Sequence, residues 1–149
     1  MSLTRERPAV KHLLMISLFL AATPLIAQEP TPAGSWTGTW DSPNGSVYTA
    51  VAQFTVATDG SLDGAIKWTL KDTRRADLAP KMGQQGTEYV RGAYDGRCRV
   101  ASFAGYKLDD PQHILGMDTY WLILAPNGQG FGGVTANGDR WTGMFSLRR

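Results

Sequence analysis

The chain has 149 residues, of which 42% are hydrophobic and 19% charged, with 15 Lys or Arg, 13 Asp or Glu and one Cys. Such a length suits a single domain with its own core, and the small charge excess argues against a nucleic-acid binder or a protein held on anionic lipid by charge. A lone cysteine, Cys98, allows no internal disulfide, so packing must supply the stability.

The N-terminal residues read as an export signal. Arg5, Arg7 and Lys11 precede an apolar run from Leu13 to Ala22, followed by Thr23-Pro-Leu-Ile-Ala27. The run is shorter than the about 20 apolar residues of a membrane span. Cleavage is expected after Ala27, which makes residues 1–27 the signal peptide; an uncleaved anchor is the competing reading. The chain is therefore expected to be secreted or periplasmic. The signal holds three of the fifteen basic residues and one of the thirteen acidic ones, so the remainder is formally neutral. Residues 28–33 carry Pro30 and Pro32 and read as a short extended linker.

Residues 34–149 read as all-β. Eight extended stretches recur about every ten to twelve residues. The first is Trp36-Thr-Gly-Thr-Trp40, and Pro43-Asn-Gly45 turns the chain. Asn44-Gly-Ser46 also fits a glycosylation sequon, but a hairpin turn is the preferred reading. The second spans 46–57, with Tyr48, Ala50, Ala52, Phe54 and Val56 on one face. The third spans 62–71 and alternates most clearly, with Leu62, Gly64, Ile66, Trp68 and Leu70 on one face. Period-two patterning with one apolar face marks a half-buried antiparallel strand. Residues 72–86 form the longest gap, with a helical turn expected over 73–79, before Pro80.

The fourth stretch, 87–95, places Glu88, Val90, Gly92 and Tyr94 together. In the fifth, 99–107, the inner face is ambiguous: Val100, Ala104 and Tyr106 compete with Ala101 and Phe103. A second long loop spans 108–117. The sixth stretch, 118–125, is apolar on both faces, which implies that something covers its outside. The seventh, 130–136, is glycine-rich, and Asn137-Gly138 turns into the eighth, 140–147. The first and last stretches share a pattern: Trp36, Gly38, Trp40 against Trp141, Gly143, Phe145. Glycines on one strand face make room for bulky neighbours, which fits first and last strands that pair.

The expected fold is thus an eight-stranded antiparallel up-and-down β-barrel. An outer-membrane barrel also alternates, but these stretches are short for a tilted span. Sequential pairing puts both long loops at one end, the mouth, and only tight turns at the other. Counting along the strands brings Trp40, Ser46, Tyr48, Trp68, Glu88, Tyr106, Tyr120, Trp121 and Trp141 toward the mouth. Tryptophan and tyrosine give large contact area with polar tips, which suits a pocket for a flat or apolar ligand. The competing reading is that the rings fill a narrow barrel. Glu88 is expected at the rim beside an Arg or Lys, and Cys98 as a buried or half-buried inert thiol.

Gly34-Ser-Trp36 and Gly38-Thr-Trp40 resemble the Gly-x-Trp signature of the calycin group, which includes lipocalins, fatty-acid-binding proteins, avidins and some barrel-shaped protease inhibitors. That resemblance implies a barrel with a basic residue at its end packed on the first-strand Trp, a role open to Arg148 or Arg149. Gly38-Thr-Trp40, Gly45-Ser46 and Tyr120-Trp121-Leu-Ile-Leu look like avidin strand motifs, which would make Ser46 and Trp121 ligand contacts. Ile66, Trp68 and Gly143 depart from the avidin pattern and speak against biotin.

Three functions follow as expectations. The first is a non-enzymatic barrel that binds a small apolar or aromatic molecule, with no cofactor or metal and with a homo-oligomer possible. The second is a protein-binding or inhibitor-like module that inserts the loop carrying Met82. The third is a small hydrolase or isomerase, which needs Glu88, Asp110 and His113 to converge.

Overall fold

A computed structural model describes residues 29–149. The signal peptide expected over residues 1–27 lies outside the described residues.

Eight strands follow one another: β1 Gly34–Asp41, β2 Val47–Val56, β3 Ser61–Asp72, β4 Gln85–Asp95, β5 Val100–Asp109, β6 Thr119–Leu124, β7 Gly130–Asn137 and β8 Arg140–Arg148. Each pairs antiparallel with the next, and β8 returns to β1, so the sheet closes as an up-and-down barrel. Closure removes the exposed sheet edges that invite aggregation. The closing register runs from Thr37 opposite Arg148 to Asp41 opposite Met144. Gly143 makes it possible, because a methyl group there would sit 2.5 Å from the Asp41 carbonyl oxygen and 2.6 Å from the Trp40 ring. No described helix is long and apolar enough to cross a membrane.

Alternation along each strand sorts the side chains. Tyr48, Ala50, Ala52 and Phe54 of β2 face inward, as do Leu62, Ile66, Trp68 and Leu70 of β3. The ambiguity of β5 resolves in favour of Ala101 and Phe103, both buried. Two bulges shift this alternation near the mouth. On β5, Tyr89 faces Lys107 while Val90 faces Gly105, so Tyr106 is the extra residue. On β8, Thr135 faces Gly143 while Ala136 faces Trp141, so Thr142 is the extra residue.

Rings pack the base half in one continuous chain. Trp36 lies against Phe131, Phe131 against Phe54, Phe54 against Phe103 and Phe103 against Tyr120, with centroids 4.8–5.9 Å apart. Leu62, Leu122 and Leu124 fill the spaces between them. Residues 29–33 are not a free linker but lie across the base. The Trp36 indole donates to the Pro32 carbonyl at 2.8 Å, and the Tyr94 hydroxyl donates to the Pro30 carbonyl at 3.1 Å. The Arg149 guanidinium sits 4.3 Å above the Trp36 ring and donates to the Thr31 carbonyl at 2.9 Å. The expected basic residue on the first-strand Trp is therefore Arg149.

Two local expectations need correction. The helical turn of the β3–β4 loop is a 3-10 turn at Ala79–Lys81, and it includes Pro80 rather than stopping before it. Proline fits there because the first residues of a helix have no N–H partner to lose. Cys98 is exposed, since it sits in the tight β4–β5 turn rather than on an inward-facing strand position.

Candidate ligand-binding cavity

Four connections surround the mouth: residues 42–46, 73–84, 110–118 and 138–139. The first three are braced by their own short-range hydrogen bonds. In the first, the Asn44 side chain accepts from the Ser46 N–H at 3.1 Å, which fixes a tight turn rather than an open loop. In the second, Leu78 is buried and its N–H donates to the Arg75 carbonyl at 3.1 Å. In the third, the Asp110 carboxylate accepts from the Leu115 N–H at 2.7 Å, and Ile114 turns inward. The Lys81 ammonium donates to the His113 carbonyl at 3.3 Å and ties the two long loops together.

Beneath these loops the barrel is open. A cavity of about 500 Å3 extends inward between Trp40, Tyr48, Trp68 and Trp141. The Trp40 and Tyr48 rings meet edge-on at 5.5 Å, and Tyr48 meets Trp68 the same way at 6.2 Å. Polar bonds hold the rings in place. The Trp40 indole donates to the Thr135 hydroxyl at 2.8 Å, and the Tyr48 hydroxyl donates to the Ile114 carbonyl at 2.6 Å. Burial pushes the Tyr48 phenol above its ordinary range.

The inner end is polar. Glu88 is 1% exposed and accepts three hydrogen bonds: from the Tyr120 hydroxyl, from the Trp68 indole at 3.2 Å and from the Asp118 N–H at 3.3 Å. Gly105 stands opposite, and a methyl group there would overlap the Glu88 carboxylate. Burial raises the Glu88 carboxyl to about 7, against the pull of those three donors. Tyr120 is raised well above its usual value by burial and by the neighbouring Glu88. Asp118 also lines the cavity; it accepts from the Thr142 hydroxyl at 2.9 Å, and burial raises its carboxyl.

The expected site residues separate into two groups. Trp40, Ser46, Tyr48, Trp68, Glu88, Tyr120 and Trp141 line the cavity. Tyr106 and Trp121 do not. Tyr106 is 50% exposed on the outer wall under the Arg91 guanidinium, because the β5 bulge turns it outward. Trp121 alternates with the buried Tyr120 and Leu122, so it faces outward at 44% exposure in a row with Val134 and Met144. The covering expected over the outside of β6 is not seen among the described residues. Glu88 is no rim residue and has no Arg or Lys partner among the described residues; it is buried on donors from rings and backbone.

The acid–base set does not assemble as a hydrogen-bonded unit. Glu88 and His113 both border the cavity. The Asp110 side chain instead turns to the Leu115 N–H, and its other oxygen is buried with no partner among the described residues. No side-chain hydrogen bond joins the three among the described residues. Nor does any group of three His, Cys, Asp or Glu side chains among those residues offer a metal site. Met82 is exposed on the β3–β4 loop.

Thr135, Thr142 and Ile114 were not singled out as site residues. Thr135 was legible, since it shares a face with Phe131 and Gly133 on β7. Thr142 sits in a bulge and Ile114 in a loop, where alternation gives no signal. No protein-family model matches the chain, and no curated protein matches it.

Proposed function

We propose that this protein is an exported, non-enzymatic barrel that binds one small apolar or aromatic molecule in its upper cavity, in the manner of the calycin group. The observation that carries this reading is the ring-walled opening between Trp40, Tyr48 and Trp68, of a size that suits a small organic ligand. Membership of the calycin group is supported by sequential barrel closure and by Arg149 stacked on Trp36. Export is supported by the basic and apolar pattern of residues 1–27. A binding rather than a catalytic role is supported by the separate partners of Glu88, Asp110 and His113.

The test uses the neutral dye N-phenyl-1-naphthylamine, whose fluorescence rises on leaving water. Saturable binding of one dye per chain is expected, weakened by Trp40→Ala and unchanged by Trp121→Ala on the outer wall. No saturable binding, or loss only with Trp121→Ala, rejects the cavity as the site.

A further inference from the structure

We propose that the natural ligand of this cavity carries a positive charge, a protonated amine or amidinium on an apolar body, with its cationic end held inward between Glu88, Asp118 and the rings of Trp40 and Trp68. This rests on the ligand-binding reading and adds the chemical class of the ligand.

Two carboxylates, Glu88 and Asp118, border the cavity side by side, linked by the Asp118 N–H that donates to Glu88, and among the described residues neither forms a salt bridge. The bridges present are Arg75–Asp77, Arg91–Asp63 and Arg97–Asp95. Buried carboxylates normally have a cationic partner or a metal. Here Glu88 is buried and Asp118 half-buried, neither has such a partner among the described residues, and the open volume borders both. Of the basic groups bordering the cavity, Arg75 and His113 belong to the mouth loops and Arg140 begins β8; Arg75 is already engaged by Asp77 at 2.6 Å.

The walls favour the same charge. The faces of Trp and Tyr rings carry negative electrostatic potential and attract cations, most strongly where water is excluded. Trp40, Tyr48 and Trp68 meet edge-on, which turns ring faces in different directions about one space. Trp68 is also the indole that donates to Glu88, so ring and carboxylate are joined in one unit. An ammonium entering loses its hydration, and two carboxylates with ring faces replace it. An anion in the same place would meet both carboxylates, and a neutral group would leave their repulsion uncompensated.

The matched probes phenethylamine, 2-phenylethanol and 3-phenylpropionate share one ring and differ in charge. Calorimetric titration of the full chain at about pH 8, above the value of about 7 for the Glu88 carboxyl, is expected to give phenethylamine at least about tenfold tighter binding than the alcohol, with the acid weakest. Asp118→Asn and Glu88→Gln should each remove most of that preference, read as the ratio of the amine to the alcohol affinity in the same variant. If Glu88→Gln does not fold, the probe series on the unaltered protein and Asp118→Asn still decide the matter. Lowering the pH toward about 5 should weaken the amine as Glu88, raised to about 7, takes up its proton, and leave the alcohol unchanged. The Tyr48 and Tyr120 phenols and the Arg75 guanidinium, all shifted upward, keep their charge state over that range, and His113→Gln should keep the profile. Equal affinity for the three probes, a preference for the alcohol or the acid, or a pH profile that vanishes in His113→Gln overturns the cation assignment while the ligand-binding reading stands. Binding of the neutral dye but of none of the three probes also overturns it. Failure of the dye itself strikes the ligand-binding reading.

Discussion

The two halves of this barrel are built from the same residue types and do different work. In the base half, Trp36, Phe54, Phe103 and Phe131 touch ring to ring, and residues 29–33 with Arg149 cover the end. In the upper half, Trp40, Tyr48 and Trp68 also meet ring to ring, but they surround a space of about 500 Å3. The rings run on from one half to the other through Tyr120, Phe145 and Trp68, but those of the upper half stand among hydrogen-bonded polar groups, Glu88, Asp118, Thr135 and Thr142. Aromatic content alone therefore does not distinguish core from pocket; hydrogen-bonded polar groups among the rings and long loops above them do.

The largest expected contrast is in stability. Phe54→Ala removes a fully buried ring that touches two others, and should cost about 3–5 kcal/mol, read as a fall in the urea midpoint. A loss below about 1 kcal/mol would mean that the base half is not the stable part.

Next comes pH. Folded Glu88 holds its proton up to about 7, whereas the ordinary value is 4.5. Between those limits the folded state binds more protons than the unfolded chain, so stability falls as pH rises, by about 1.4 kcal/mol per unit. The contribution is fully present below about 4.5, is lost above about 7 and amounts to on the order of 3 kcal/mol. Urea unfolding across this window should show the slope in the unaltered protein and a shallower one in Glu88→Gln. Some slope remains there, because the Asp118 carboxyl is raised as well. A slope of opposite sign would contradict the burial of Glu88 without a cation.

Gly105→Ala pushes a methyl group into the Glu88 carboxylate, which three donors hold in place. It should cost about 1–3 kcal/mol, and the same change at Gly83, where nothing lies within 4 Å of the added atom, is the control for space, although its φ of +82° adds backbone strain. The smallest stability effect belongs to Trp141→Ala. This ring is 54% exposed at the mouth, so stability should change by no more than about 0.5 kcal/mol, while dye binding weakens. Weaker dye binding without lost stability would mark the upper half as a site rather than a core.

Much of this division was legible in the sequence. Period-two alternation placed the inner faces of β2, β3 and β4, and the turn dipeptides placed the hairpins, so sequential closure and the common end of the long loops followed. Seven of the nine proposed residues line the cavity because strict alternation holds up to their positions or because they end a strand at the mouth. Tyr106 was assigned to the wrong side because a bulge adds one residue, and nothing in the β5 sequence announces it. Trp121 is placed at the mouth both by counting and by a short motif, yet its neighbours Tyr120 and Leu122 face inward and the parity of β6 sends it out. Glu88 was expected at the rim because a carboxylate on an inward face usually sits beside a base. Its donors come from β3, from β6 and from the residue before β6, which only the closed barrel brings together.

The five tryptophans offer the most direct test of an open upper half over a packed base. Each indole N–H gives its own signal in a proton–nitrogen correlation spectrum. Saturation with phenethylamine or with the neutral dye is expected to shift the signals of Trp40, Trp68 and Trp141 and to leave Trp36 at the base and Trp121 on the outer wall in place. Shifts confined to Trp121, or a spectrum in which Trp40 and Trp68 stay fixed while ligand is bound, would contradict a ligand site inside the barrel.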